Sequence, residues 1–315
     1  MKIYQSIDEF KPTTGLVMTI GAFDGVHLGH RKLLTRIVEI ASQNNLESLV
    51  LTFFPHPRMV LSPEEHGVEL LSTTTEKIAL LSDTGIDHLV IHPFSRDFSS
   101  MTAEEFVRKV ISEKLHASQL VIGYDHRFGN QREGSIGELK RYGHDLGFTV
   151  EEIPKQDVDD MAVSSSRIRT AIKEGRVEEA GQLLDRPYEL SGIVVRGNQI
   201  GRTIGFPTAN IRIPESYKLL PAEGVYIVSV HGMDFVRNGI MSIGRRPTLE
   251  THGKLALEVH ILDFDGDIYG STIQVRLLGR LRENMRFNSM EDLKSQIEAD
   301  RIQALRYFAR TGTHE

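Results

Sequence analysis

The chain has 315 residues, of which 40% are hydrophobic and 25% charged, a composition typical of globular proteins with room for two domains. It has no cysteine, which excludes disulfides and cysteine-ligated metal sites. The formal net charge of -6 disfavours nucleic-acid binding. Without a signal-peptide pattern or a bilayer-length apolar run, we expect a cytoplasmic monomer or weak homo-oligomer with no membrane or nucleic-acid partner.

Strand and helix patterns alternate through the first half of the chain. Strands are predicted at 16–20, 48–53, 88–92, 119–122 and 148–153, with helices over 29–43, 75–83 and 102–115. This β-α order favours a parallel, doubly wound, Rossmann-like sheet with crossover helices.

The pattern changes after about residue 185 to short, β-branched segments separated by Gly or Pro, which predicts an antiparallel β-barrel or sandwich. Ser289, three residues before Asp292, predicts the start of a terminal helix. We therefore expect two domains, 1–184 and 185–315, with a barrel as the second.

The segment GAFDGVHLGH (21–30) follows the first predicted strand. Gly21 permits a tight turn, and His27, Gly29 and His30 lie where the helix begins. Helix N-termini bind anions, and imidazoles can donate hydrogen bonds to a triphosphate. Taken alone, the motif is also typical of a solvated turn; its position after a buried strand favours phosphate binding.

A second segment, VSSSRIR (163–169), places hydroxyls beside basic side chains. Alone, it is typical of a helix N-cap on a protein surface. Ser165, Ser166 and Arg167 also have the chemistry to bind the β- and γ-phosphates of ATP. The two segments together resemble the nucleotidyltransferase superfamily that shares its HxGH motif with class I aminoacyl-tRNA synthetases.

Two further segments, TFFPHP (52–57) and GYDHRFGNQREG (123–134), follow predicted strands, where open α/β sheets bind ligands. With the segments above they resemble the FMN adenylyltransferase domain of bacterial FAD synthetases. That resemblance implies flavin contacts from Asp125 and Pro55, although a proline alone is typical of a rigid turn. It implies catalytic roles for His27 and His30 and nucleotide contacts from Gly21, Phe23, Gly29, Ser165, Ser166 and Arg167.

The second half contains GNQIGRTIGFPTANI (197–211), whose glycines allow a loop to approach phosphates but lack the Walker lysine spacing. The Thr208 hydroxyl and the Asn210 carbonyl oxygen are hard ligands suited to Mg²⁺, and along a strand they face the same side. For PTAN alone, a turn leading into a strand is the simpler interpretation.

Glu258 and His260 share one strand face in LALEVHILDFDGDIYG (255–270), where polar residues are more often solvated than catalytic. Together with GRTIGFPTANI, PAEGVYIVSV, GIMSIGRRPTLE and LRENMRF, however, this segment resembles the riboflavin kinase (flavokinase) domain. The resemblance implies that Glu258 is the catalytic base, that Thr208 and Asn210 hold Mg²⁺ and ATP, that Gly201 and Gly205 contact the nucleotide, and that Arg282 contacts the flavin.

Several residues depart from the usual family patterns. His126 replaces an aromatic residue in the first domain; in the second, Ser242, Leu249, Asn284 and Arg286 stand where Asn, an aromatic residue, Glu and Lys are usual. We expect these departures to change flavin affinity more than the chemistry.

The resemblances cover about residues 17 to 305 and imply a bifunctional enzyme of FAD biosynthesis. With Mg²⁺ and ATP, it would phosphorylate riboflavin to FMN and then adenylylate FMN to FAD, releasing pyrophosphate. Three alternatives stay open: a kinase with a degenerate adenylyltransferase domain, an RNA-binding relative of the synthetases, and a non-catalytic flavin carrier. The intact HLGH and SSSRIR disfavour the first, and the net negative charge disfavours the second.

Overall fold

The computed structural model describes residues 1–61, 67–124, 127–130, 133–153, 163–197, 201, 204–245 and 255–312. The chain forms two compact units, residues 1–165 and 166–315. Within the described residues, no helix combines the length and the apolar character that a membrane span requires.

The first unit is built on a six-stranded parallel sheet, which confirms the predicted doubly wound fold. Its strands are β1 Lys2–Tyr4, β2 Leu16–Ile20, β3 Glu47–Phe53, β4 His88–His92, β5 Ala117–Gly123 and β6 Thr149–Ile153. Their order in the sheet is β1-β4-β3-β2-β5-β6, and each neighbouring pair is parallel. The strand order reverses between β2 and β5, and such switch points are where open α/β sheets bind ligands.

Helices connect these strands and confirm the three that the sequence predicts. They are α1 Leu28–Asn44, α2 Pro57–Leu61, α3 Thr74–Ser82, α4 Arg96–Ser99, α5 Ala103–Glu105, which continues as a π-helix over Phe106–Lys114, and α6 Ile136–Leu146. Helix α6 was not predicted from the sequence, although Ser135 and Glu138 form a capping box at its start and Gly147 ends it.

Alternation along the central strands creates a separate core on each face of the sheet. Met18 and Leu49 belong to one cluster, and Val17 and Val50 belong to the other. Because both faces are covered, all five residues of β2 are buried, including Thr19.

The second unit contains a closed antiparallel barrel, which confirms the predicted barrel. Its strands are β7 Tyr188–Val195, β8 Ala209–Arg212, β9 Gly224–His231, β10 Val236–Arg245, β11 Leu255–Ile261 and β12 Thr272–Arg282. The closed order is β10-β11-β8-β7-β12-β9. Closure leaves no unpaired sheet edge.

Among the described residues, the barrel is accompanied by helices α7 Ser165–Lys173, α8 Val177–Leu184 and α9 Met290–Thr311. Helix α8 packs against β12 and β7, so the barrel includes chain that precedes its first strand. The predicted start of α9 is confirmed, because the Ser289 side chain accepts a hydrogen bond from the Asp292 N–H.

Candidate active sites

The segment between β2 and α1 turns through a backbone conformation that most residues avoid. Phe23, Gly25 and Val26 have φ values of 48°, 80° and 40°. Only glycine adopts such angles without strain. Phe23 is buried and meets the His30 ring edge-on, with the centroids 5.1 Å apart. The turn therefore depends on support from the surrounding structure.

His27 and His30 lie at the first turn of α1. His27 is the N-cap, and its Nδ1 accepts a hydrogen bond from the His30 backbone N–H at 3.3 Å. The two rings stack with their centroids 3.6 Å apart. Gly29, which lies between the two histidines in the sequence, is buried. Because Nδ1 of His27 accepts from the backbone of α1, any hydrogen bond that this ring donates comes from Nε2.

The electrostatic surroundings of His30 favour a neutral ring. Burial lowers the pKa of His30 well below its ordinary value, and the nearby charges of His27 and Lys77 act in the same direction. Its Nδ1 is buried and has no hydrogen-bond partner in the described part of the chain. At pH 7 this residue is therefore an N–H donor without a positive charge.

The Asp24 carboxylate holds the turn from within. It is 2% exposed and accepts backbone N–H bonds from Leu71 and Ser72, both at 3.1 Å. The Ser72 hydroxyl in turn accepts the Gly25 N–H at 3.1 Å. The role of the segment before α3 was not predicted from the sequence. The capping box formed by Thr73 and Glu76, which marks the start of α3, is the sequence feature that could have pointed to it.

The serine-rich segment begins beside the same turn and continues as α7. The Ser165 hydroxyl donates to the Asp24 backbone carbonyl at 3.1 Å, within the first unit. Ser166 and Arg167 belong to the second unit, where the Arg167 guanidinium pairs with Glu179 at 3.0 Å. Arg167 thus has a carboxylate partner in its own unit.

The predicted flavin contacts of the first unit lie at strand ends. Pro55 follows β3, the neighbour of β2 in the sheet, and is exposed. Gly21 donates its N–H to the Leu51 carbonyl at 3.1 Å, which joins the turn to β3. Asp125 and His126 follow β5 but lie outside the described residues.

A cavity of about 830 Å³ opens on the barrel of the second unit. Its lining includes Gly201, Thr208, Glu258, His260 and Arg282, all from segments that the sequence analysis singled out. Its volume is in the range of small-molecule sites.

Polar side chains form a row across three adjacent strands, and two of its members, Glu258 and Ser242, line this cavity. Asn210, Glu258 and Ser242 are cross-strand partners on β8, β11 and β10. The Thr208 hydroxyl donates to Glu258 Oε2 at 3.3 Å. The row therefore gathers hydroxyl, amide and carboxylate oxygens, the donors that Mg²⁺ prefers. No cluster of three His, Asp or Glu side chains able to hold a metal occurs in the part of the chain that the structure describes.

The segment that leads into β8 needs glycine at two positions. A Cβ on Gly201 would lie 2.2 Å from the Phe206 carbonyl oxygen, and Gly205 has a φ of 89°. His260 supports the next residues, because its Nδ1 lies 2.8 Å from the Pro207 carbonyl oxygen. Thr208 therefore contacts Glu258 through its hydroxyl, and the preceding residue, Pro207, is held by His260.

Arg282 reaches the cavity already paired. Its Nε and Nη2 donate to the two carboxylate oxygens of Asp300 on α9, at 2.9 and 2.7 Å. Asp300 is 3% exposed and also accepts from the Gln296 amide at 2.9 Å. Asp300 was not predicted as a site residue, because one acidic residue on an amphipathic helix has no distinguishing signal in the sequence.

The departures in the second unit lie around the same cavity. The Asn284 amide donates to the Ile243 carbonyl at 2.8 Å, and Arg286 and Ser242 also line the cavity. Leu249 lies outside the described residues. The described departures therefore face the space that a substrate would fill.

Fold and site geometry define a two-unit nucleotide-dependent transferase. One unit carries an HxGH turn at the switch point of a doubly wound sheet, and the other carries an oxygen-lined barrel cavity. The FAD synthetase family model matches residues 9–167, and the riboflavin kinase model matches residues 184–308.

Full-length relatives agree with this assignment. The chain is 39% identical to the bifunctional riboflavin kinase/FMN adenylyltransferase of Listeria monocytogenes, covering 93% of each chain. It is 36% identical to that of Escherichia coli over 99% of each, and 37% identical to that of Bacillus subtilis over 93% of this chain and 92% of the relative. A crystal structure described as a macrolide-efflux protein from Streptococcus pneumoniae superposes with a TM-score of 0.86 at 33% identity, covering 95% of this chain and 97% of that one.

The chain belongs to the family of bifunctional riboflavin kinase/FMN adenylyltransferases. It phosphorylates riboflavin to FMN and adenylylates FMN to FAD, with ATP as the donor in both steps.

The lowered pKa of His30 predicts that the first unit loses stability in mild acid. Below about pH 6.5 the unfolded chain binds a proton at His30 that the folded unit does not. Each further unit of acidification therefore lowers the free energy of unfolding by up to about 1.4 kcal/mol. His92, whose pKa burial also lowers, adds a loss of the same sign. Urea unfolding followed by circular dichroism at pH 7 and pH 5 should show a smaller loss for His30→Gln than for wild type. Equal losses would contradict a neutral His30.

Proposed function

We propose that Glu258 is the catalytic base of the kinase reaction. Its carboxylate accepts the proton of the ribityl 5′-hydroxyl, the hydroxyl oxygen bonds to the γ-phosphorus of ATP, and ADP leaves. The observation that carries this role is the contact of Glu258 with Thr208 at the cavity wall, 3.3 Å between oxygens. Positioning and electrostatics supply most of the catalysis in such transfers.

Magnesium fits the oxygen donors beside Glu258. Thr208 and Asn210 would hold the ion, because hydroxyl and amide oxygens are hard ligands that leave room for waters and phosphates. Bound there, Mg²⁺ would supply positive charge to the phosphate oxygens. Gly201 and Gly205 would contact the nucleotide, and Arg282, oriented by Asp300, would contact the flavin.

We propose that the adenylylation site is the turn between β2 and α1. A phosphate oxygen of FMN attacks the α-phosphorus of ATP, and the bond to pyrophosphate breaks. FMN is already an anion, so no general base is needed, and the site must instead donate hydrogen bonds to crowded negative charge. His27 and His30 would supply side-chain donors.

The remaining nucleotide contacts would come from the turn and the serine-rich segment. Backbone groups of Gly21, Phe23 and Gly29 would approach the phosphates. Ser165, Ser166 and Arg167 would bind the departing pyrophosphate; for Arg167 this requires exchange of the Glu179 carboxylate for phosphate. Asp125 and Pro55 would contact the flavin.

We place the adenylylation function in residues 1–184 and the kinase function in residues 185–315. The compact units divide earlier, at residue 165, because α8 packs on the barrel. We also propose a cytoplasmic monomer or weak homo-oligomer that binds small molecules and no nucleic acid, in keeping with a net charge of -6. Salt-dependent RNA binding would contradict the last point.

Glu258→Gln should lower the kinase kcat by about a hundredfold or more, because a positioned base contributes 10²- to 10⁴-fold. The amide keeps the size of the side chain, so nucleotide binding and FMN adenylylation should persist. Chromatography of flavins formed from riboflavin and Mg-ATP measures the first activity, and conversion of added FMN measures the second. An undiminished kinase rate would remove Glu258 from the mechanism.

His30→Ala should lower FMN adenylylation by about 10²- to 10³-fold, the usual cost of one transition-state donor. The kinase activity of the same preparation is the internal control and should be unchanged. His144→Ala, at a side chain that is 90% exposed, is the matched histidine control. Parallel loss of both activities in His30→Ala would indicate misfolding instead of a catalytic role.

A further inference from the structure

Lys77 is a buried lysine whose charge the two proposed mechanisms do not use. It lies in α3 and is 5% exposed. Its ammonium donates a hydrogen bond of 2.8 Å to the Ala22 backbone carbonyl. Burial lowers the pKa of Lys77, while the Asp24 carboxylate acts in the opposite direction. A buried ammonium is costly, so its retention at this position calls for a reason.

The Ala22 carbonyl is a sensitive place for this bond. Ala22 directly precedes Phe23, the first residue of the turn with positive φ. Its carbonyl oxygen also accepts the Thr52 hydroxyl at the longer distance of 3.3 Å. On the other side of Phe23, the Asp24 carboxylate is bound by the Leu71 and Ser72 N–H groups. The strained turn is thus held on both sides of Phe23. Residues 71–77 supply the bonds on both sides: the Leu71 and Ser72 N–H groups bind Asp24, and the Lys77 ammonium binds Ala22.

The charge of Lys77 also acts on His30. It is one of the causes of the low pKa of His30, which places the ammonium within electrostatic range of that ring. Lys77 is therefore coupled to the site both through the backbone of the turn and through its field.

We propose that Lys77 is a positioning residue for FMN adenylylation: its ammonium fixes the Ala22 carbonyl and thereby the turn that presents His27 and His30 to ATP. This inference rests on the proposed assignment of that turn to the adenylylation site. We assign Lys77 a positioning role and not a catalytic one, because the hydrogen bond that its ammonium makes is to the Ala22 carbonyl.

Lys77→Met separates this role from a purely structural one. Methionine fills a similar volume without a buried ammonium, and the Asp24 carboxylate keeps its bonds from the Leu71 and Ser72 N–H groups. The Ala22 carbonyl keeps the Thr52 hydroxyl, so no acceptor is left without a partner. The melting temperature should therefore stay close to that of wild type.

Adenylylation by Lys77→Met should nevertheless fall. We expect kcat/KM for ATP to drop about a hundredfold, the loss that a misplacement of about 1 Å can cause, with a raised KM and a lowered kcat. Riboflavin phosphorylation by the same preparation should be unchanged. Lys77→Gln carries a neutral donor on a side chain one atom shorter, so its bond to the Ala22 carbonyl is lengthened or lost. Its adenylylation should fall by less than that of Lys77→Met, and this variant serves if the methionine variant does not fold.

Two matched variants complete the experiment. Lys218→Met removes another buried lysine, 4% exposed and 4.5 Å from the Tyr188 ring centroid in the second unit, and should leave adenylylation unchanged. Thr52→Val removes the longer bond to Ala22 and should cause a smaller loss than Lys77→Met.

The outcomes distinguish the inference from the assignment on which it rests. If His30→Ala is inactive in adenylylation while a folded Lys77→Met or Lys77→Gln keeps the wild-type kcat and KM for ATP, Lys77 has no positioning role. If Lys77→Met loses melting temperature but not activity below the transition, its role is structural. If His30→Ala keeps full adenylylation, the turn is not the active site and both proposals fail.

Discussion

The proposed adenylylation site depends on a buried carboxylate that holds a strained turn. Asp24 accepts two backbone N–H groups from the segment before α3, and this bond set fixes a loop whose φ values would otherwise be unfavourable. With the turn in place, α1 begins at Leu28, the imidazole of His27 caps it, and His30 stacks on that ring. The parallel sheet supplies the location, since β2 ends where the strand order reverses.

In the barrel, strand pairing positions the polar side chains of the proposed kinase site. The oxygens of its proposed site come from adjacent antiparallel strands, so their spacing follows from register. Asn210 and Glu258 are cross-strand partners, and Thr208 contacts Glu258 from just before β8. The approach to β8 is supported by the contact of His260 with the Pro207 carbonyl. A register slip of one residue would turn Glu258 away from the cavity. Pairing along the strand, and not a strained loop, therefore sets the geometry of this site.

Periodicity and motif order predicted the fold classes and most elements, because β2 to β6 and the barrel strands carry strong apolar patterns. The sequence also singled out the segments that carry His27, His30, Thr208 and Glu258. It did not reveal Lys77 or Asp300, which act on these segments from distant parts of the chain. Each appears in the sequence as one charged residue on an amphipathic helix, and only the tertiary structure shows that it is buried and bound to Ala22 or Arg282.

Charge explains why buried groups support both sites. ATP brings several negative charges, and a cluster of exposed cations would bind it in many orientations. Here His30 is neutral, and the ammonium of Lys77 and the guanidinium of Arg282 are each committed to a protein acceptor. Donors whose directions are fixed by the fold need little reorganisation when charge moves in the transition state. Burying Lys77 and Asp300 costs free energy. What the protein gains is the fixed orientation of the groups they bind, the Ala22 carbonyl and the Arg282 guanidinium, more than stability.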